Sequence, residues 1–279
     1  MDTVPSLKSY LRPNTFYSLL VIARDWIAIV LIAALNIRYP SIWLYIPSVW
    51  LIGAFQFALG ESMLHDASHH TLFARKSWHY RLDFLYALPF WITVKEYRKE
   101  HLVHHSYLGK DKDRLVTDYR KLGFQEPVRH LFWLWFLKPV TGFAGLFYIH
   151  QLTLKPFKSS GIRILIFWAV IVTGFALMQR LDILLLYWVV PYVWCFYSYL
   201  YWSEVSDHFH TETGTRSNLN PLSNLITHNN GYHYLHHKYP TIPWFRLPDA
   251  YNDFGKGEGD ISGGFLDTYR QMKKANLKA

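Results

Sequence analysis

The chain has 279 residues, of which 51% are hydrophobic and 18% aromatic, with one cysteine and a formal charge of +9. That composition excludes a disordered chain, a collagen-like chain and a disulfide scaffold. The mean hydropathy of +0.01 would suit a soluble protein. An average hides segregation, however, so what matters is where the apolar residues fall.

The segment Met1–Tyr17 has Lys8 and Arg12 but no apolar core followed by a small-residue cleavage site, so no cleavable signal peptide is expected. The first apolar block spans residues 16–37 and contains Arg24 and Asp25, which are expected to pair or to reach the interface. Arg38, Tyr39, Pro40 and Ser41 form a turn, and residues 42–60 follow without a charge. Each block approaches the ~20 residues that a bilayer requires, so the two predict a transmembrane hairpin.

Residues 61–161 are mixed and basic. Two apolar stretches interrupt them. Phe84–Val94 is too short to cross, and Leu131–Ile149 is broken by Lys138, Pro139, Gly142 and Gly145. Both are expected as interfacial or partly inserted helices. A second hairpin is predicted from residues 162–178 and 183–202, joined by a short polar turn. From residue 203 to 279 the chain is polar. The expected fold class is therefore an all-α integral membrane protein, one domain over residues 1–279, with four spans under a polar helical cap of residues 61–161 and 203–279. Lys and Arg crowd the region between the hairpins, and only Arg38 and Arg180 mark the turns. The positive-inside rule thus places both termini and the cap in the cytoplasm. Cys195 lies in an apolar run and is expected to be a packed hydrophobe.

A charge of +9 serves nucleic acid, anionic lipid or an acidic partner. No zinc-finger, RNA-binding or helix-turn-helix pattern is present, so nucleic acid is set aside. The basic cap suits an anionic lipid surface or an acidic partner.

The chain has 15 histidines, and most are clustered. His65 and His69 stand at i and i+4, which places them on one helix face. His101, His104 and His105 follow at i, i+3 and i+4, and His233, His236 and His237 repeat that spacing. His208 stands alone shortly after the fourth span. On the predicted topology all of these lie on the cytoplasmic side. Neutral imidazole suits iron, zinc, copper and nickel. Nine such ligands exceed one tetrahedral zinc and fit two ions of five or six ligands each with an open position or shared solvent. His70 and His228 are further candidates, as ligands or as hydrogen-bond partners behind them. Asp66, Glu204 and Asp207 are candidates to accept an N–H from a ligand imidazole. His79, His130, His150 and His210 are expected at the surface or interface. Trp91, Trp194, Tyr197 and Tyr201 either line an apolar channel or pack and anchor the spans.

The ordered motifs HxxxH at His65–His69, HxxHH at His101–His105 and HxxHH at His233–His237 resemble the three histidine boxes of the membrane fatty acid desaturase and hydroxylase superfamily. His208 matches that family's single histidine after the fourth helix, and Glu204 stands where relatives can have a polar residue close to the metal. The stretch Asn229–Pro248 is similar to the tail of acyl-lipid desaturases and carotene ketolases. Two departures stand out: the third box lacks the Gln-initiated form of front-end desaturases, and Leu235 replaces a Glu found in some relatives. The resemblance implies four helices under a cytosolic cap, two non-haem iron ions, O2 as co-substrate and an external ferredoxin or cytochrome b5-type donor. It implies desaturation of a fatty acyl chain or related lipid at an unactivated C–H. Hydroxylation of a lipid and ketolation or hydroxylation of a carotenoid use the same centre. Two other readings are weaker. A zinc protease would use the HExxH-like His65–His69 but leaves the other boxes unexplained. A membrane metal transporter would place its ligands inside the spans, which hold no histidine.

Overall fold

The computed structural model describes residues 6–152 and 161–278, and the side chains of residues 150–152 lie outside that description, His150 among them. Helix α1 (Thr15–Arg38) begins where the Asn14 side chain accepts the Tyr17 N–H at 3.0 Å. After a short turn, α2 (Ile42–His69) runs for 28 residues. It carries the apolar stretch straight into the first histidine cluster. At Ala58–Met63 it widens into a π turn, which takes an extra residue into the winding. Helix α3 (Val94–Tyr107) holds the second cluster, and α4 (Arg114–Leu122) follows it. Helix α5 (Gly161–Leu177) is apolar but shorter, and α6 (Leu181–His208) again runs for 28 residues. In α6, π turns at Leu185–Val189 and Tyr192–Phe196 flank Pro191, whose ring cannot sit in regular α winding without breaking a hydrogen bond. Helix α7 (His233–Lys238) holds the third cluster.

Among the described residues, α1, α2 and α6 are long and apolar enough to cross a membrane. Their outward faces agree: Leu20, Val30, Leu31, Trp43, Leu51 and Leu185 are all exposed. A soluble surface rarely carries so much apolar area in one band. Helices α2 and α6 approach closely at Gly53, where an added Cβ would come within 2.4 Å of the Cys195 Cβ. Cys195 itself is fully buried. Nearby, Gln56 donates to the Trp188 carbonyl at 3.0 Å, and Trp26 stacks on Trp188 with ring centroids 5.1 Å apart.

The charged pair in α1 is resolved by pairing. Asp25 is fully buried and accepts from Arg24 at 2.7 Å. Its other oxygen lies 2.6 Å from His228 Nε2. Arg24 also donates to the carbonyls of Leu225 and Ile226 at 2.9 and 3.1 Å. The first predicted span thus holds the loop that precedes α7.

Several expectations are corrected. Phe84–Val94 is not an interfacial helix: it forms 3-10 turns at Asp83–Leu85 and Leu88–Phe90. Tyr86, Ala87, Leu88, Phe90, Ile92 and Val94 are buried there. Pro89 limits helical winding, and a run that is apolar on all sides is better placed inside than along a surface. Leu131–Ile149 is broken, as its sequence suggests, by a turn at Pro139–Thr141 and by Gly142 at φ +82°. The helix Phe143–Leu152 then packs on α6 through Gly145. His79 is not at the surface: it is fully buried and accepts the Phe73 N–H at 3.0 Å. The His210 side chain is also buried, 4% exposed, with Glu126 3.2 Å away. His130 is exposed, as expected.

The polar part is pinned by a two-stranded parallel sheet, β1 (Arg216–Asn218) with β2 (Asp260–Ser262). Arg216 is 1% exposed and donates to the carbonyls of Ser206 at 2.5 Å, Phe209 at 3.2 Å and His210 at 2.8 Å. These carbonyls lie at the C-terminal end of α6, where backbone acceptors lack helical partners and a cation is favoured. Arg216 therefore fixes the end of the helix that carries His208.

Candidate metal centre

Nine histidines from four helices converge into two groups. His65, His69, His101, His105 and His236 form one, and His104, His208, His233 and His237 form the other. Within each group the candidate ligand atoms lie within 4.8 Å of one another. The division cuts across the boxes. In each HxxHH box the i and i+4 residues serve one group and the residue at i+3 serves the other. Sequence spacing suggested that all three face one way, but successive helical residues are about 100° apart, which turns His104 away from His105. The groups hold five and four histidines, the division that nine ligands leave when an open position or solvent completes the second.

The donor set fits metal ions. Pairs of imidazole nitrogens face each other at 2.9 Å (His69–His101, His101–His105, His208–His233) and 3.1 Å (His105–His236). Two ligands about 2.1 Å from one ion and at right angles to each other lie about 3.0 Å apart. His65 Nε2, His233 Nδ1, His236 Nδ1 and His237 Nε2 are buried without a hydrogen-bond partner, an unfavourable arrangement unless something else satisfies some of them. Burial, reinforced by neighbouring histidines, pushes His101, His233, His236 and His237 well below the usual histidine pKa. Burial and His104 push His105 down to about 4. The rings are thus neutral near pH 7, the state in which imidazole ligates.

Two ligand candidates have their tautomer fixed from behind. His104 Nδ1 lies 3.2 Å from both oxygens of Asp113, and His208 Nδ1 lies 3.0 Å from the Gly214 carbonyl. Both partners accept, so Nδ1 donates and Nε2 is left for the cluster. Burial opposes the charge on Asp113, but hydrogen bonds from His104, Gly109 and Leu115 outweigh it and hold its carboxyl below the usual range. The sequence reading missed this residue. Its signal was its position as the N-cap of α4, nine residues after His104.

The other candidates have different partners. Asp66 accepts the Trp244 backbone N–H at 3.2 Å, and Asp207 accepts from Ser203 at 2.8 Å. Glu204 accepts from the Tyr148 hydroxyl and lies 3.6 Å from Arg114. None of these three is shown against a ligand imidazole. His70 ends α2 at φ +63° and lies 2.7 Å from the Tyr80 hydroxyl. His228 binds Asp25 and also lines a small cavity beside His65, Asp66 and His236. Neither joins a cluster.

A cavity of about 470 Å³ opens beside both groups, lined in part by His65, His101, His104, His208 and His233. That volume suits a ligand of moderate size. Its apolar wall includes Phe90, Ile92, Phe196 and Leu200. Tyr197 also lines it, whereas Trp91, Trp194 and Tyr201 do not. Those three pack instead: Trp91 stacks on Trp168, and Trp194 and Tyr201 donate to the carbonyls of Val140 and Leu134.

Comparison with known proteins agrees with this geometry. A family model described as fatty acid desaturase matches residues 40–257. Dihydrorhizobitoxine desaturase from Bradyrhizobium elkanii is 32% identical over 272 residues, covering 87% of this chain and 76% of that one. Sphingolipid delta(4)-desaturase/C4-monooxygenase DES2 from Homo sapiens is 29% identical over 269 residues, covering 88% and 76%. Sphingolipid delta(4)-desaturase DES1 from Bos taurus is 26% identical with the same coverage, 88% and 76%.

Proposed function

The chain belongs to the fatty acid desaturase family and is an oxidoreductase; from that premise we propose that it desaturates a lipid chain held in the cavity, at two non-haem irons bound by the nine clustered histidines. The observation that carries this reading is the convergence of His65, His69, His101, His105 and His236 beside His104, His208, His233 and His237, with both groups reaching the cavity wall. When bound, a pair of irons supplies oxidation of an unactivated C–H bond by O2, chemistry for which no side-chain acid or base suffices. The chain's own residues do the rest. Asp113 and the Gly214 carbonyl orient His104 and His208. Phe90, Ile92 and Phe196 hold an apolar chain and exclude water. In this reading α1, α2, α5 and α6 are four membrane spans, the histidines lie on the cytoplasmic side, and electrons come from an external ferredoxin or cytochrome b5-type donor.

A second reading, hydroxylation at the same centre, is favoured by one observation: a relative at 29% identity is named both desaturase and C4-monooxygenase. Removing a second hydrogen gives an alkene, and adding oxygen gives an alcohol, so the positioning of the chain decides the product.

The test is metal analysis of the purified protein, together with lipid analysis after expression in a host with a ferredoxin system. About two irons per chain and a new double bond support the reading; one zinc, or no metal in the wild type, overturns it. His104→Ala is expected to abolish turnover while the protein still fractionates with membranes. Full activity in that variant would remove His104 from the centre.

A further inference from the structure

Two of the clustered histidines are held from behind, His104 by Asp113 and His208 by the Gly214 carbonyl. His236 has no such partner among the described residues. Its Nε2 lies 3.1 Å from His105 Nε2, so that edge of the ring faces the first group. Its Nδ1 points away from the group and is buried without a hydrogen-bond partner. A ligand imidazole almost always donates its second N–H to a carboxylate, a carbonyl or a water, and a buried donor without an acceptor is costly.

Beside His236 lies the small cavity that Ser62, Asp66 and His228 also line. Ser62 sits in the π turn Ala58–Met63, three residues before His65 and four before Asp66, the spacing that groups side chains on one helix face. It is 4% exposed, and its Oγ also has no hydrogen-bond partner among the described residues. The two orphan atoms are complementary in kind, since an imidazole N–H must donate and a hydroxyl can accept. Neighbouring groups do not compete for them: His228 Nε2 lies 2.6 Å from Asp25, and the Trp244 N–H is given to Asp66. The cavity offers about 10 Å³ to the centre of a water molecule, about the least that one water needs. Cavities that stay dry are apolar, and a buried water typically has about three polar partners.

We propose that one buried water occupies this cavity, accepts from His236 Nδ1 and donates to Ser62 Oγ and to the Asp66 carboxylate, which makes Ser62 a positioning residue for His236. This rests on the first group holding an ion, as the proposed reaction requires. The water keeps the His236 proton on Nδ1 and leaves Nε2 free to ligate. Asp66 reaches a ligand imidazole through this water rather than directly. The water also joins α2 to α7, so it sets the first box against the third.

The test is cobalt(II) binding by the purified full-length protein, read by chelator competition, which needs no turnover. Ser62→Ala removes the hydroxyl. It is expected to weaken one of the two bound ions, the one held with His236, by about tenfold and to leave the other unchanged. Ser62→Thr keeps a hydroxyl and is expected to bind both ions nearly as the wild type does. A structure of the zinc-loaded protein at a resolution that shows waters is expected to place one about 3 Å from His236 Nδ1. No water there, or a protein group against Nδ1 instead, overturns the proposal. So does unchanged affinity for both ions in Ser62→Ala. An equal loss from both ions overturns it too, because that is a general packing defect. A wild type that takes up no ion fails the iron reading instead, so the two failures remain distinct.

Discussion

At the residue scale, the least obvious participant is Asp113. It accepts from His104 and caps α4 through the Leu115 N–H at 3.1 Å. Partners behind a metal ligand are typically worth 10–100-fold in metal affinity. Asp113→Ser keeps a capping oxygen but is too short to hold His104, so it separates the two roles. The variant is expected to bind metal about 10–100-fold more weakly in chelator competition, with little loss of helix by circular dichroism. Unchanged affinity would leave Asp113 only its capping role. That these nine histidines gather was legible because residues on one helix are related by its geometry. Asp113 was not, because a turn of irregular backbone brings it back to α3 and no periodicity records that closure. For the same reason Asp66, Glu204 and Asp207 could be named as polar groups near the boxes but not matched to Trp244, Tyr148 and Ser203.

At the element scale, hydropathy located the long helices well. The block predicted at residues 16–37 appears as Thr15–Arg38, and the one at residues 162–178 appears as Gly161–Leu177. Apolar composition alone did not distinguish a helix at an interface from a buried irregular segment, hence the error at Phe84–Val94. Nor did it announce the π turn at Ala58–Met63, which sets the rotation of His65 and His69 relative to the apolar part of α2. Deleting Leu59 would restore regular winding and turn one part of α2 by about 100° against the other. The expected outcome is a protein that still fractionates with membranes but loses most of its metal. Full metal retention in that deletion would show that the π turn is not what aims these histidines.

At the scale of the whole molecule, the tie between α1 and the loop before α7 joins residues some two hundred positions apart. Asp25 is fully buried, with Arg24 and His228 as its partners. Asp25→Ala removes the carboxylate partner of His228 and leaves Arg24 only the Leu225 and Ile226 carbonyls, a loss of about 1–3 kcal/mol. A lower unfolding temperature in detergent is expected, with metal released earlier in the melt than in the wild type. Unchanged melting would mean that the tie is dispensable. Arg24 and Asp25 were readable as an anomaly in an apolar block, and pairing was among the expectations. Their partner was not readable, because nothing local in α1 points to residue 228.

The distribution of the clusters along the chain also dictates an order of assembly. Neither group of histidines is complete until α7 has been made: the first needs His236, and the second needs His208, His233 and His237. A chain leaving the ribosome thus carries the first two boxes while α5 and α6 are being made, with neither histidine group complete. Loading of a complete group therefore has to wait for α7. A chain truncated ahead of residue 233 would keep the long apolar helices but could complete neither histidine group.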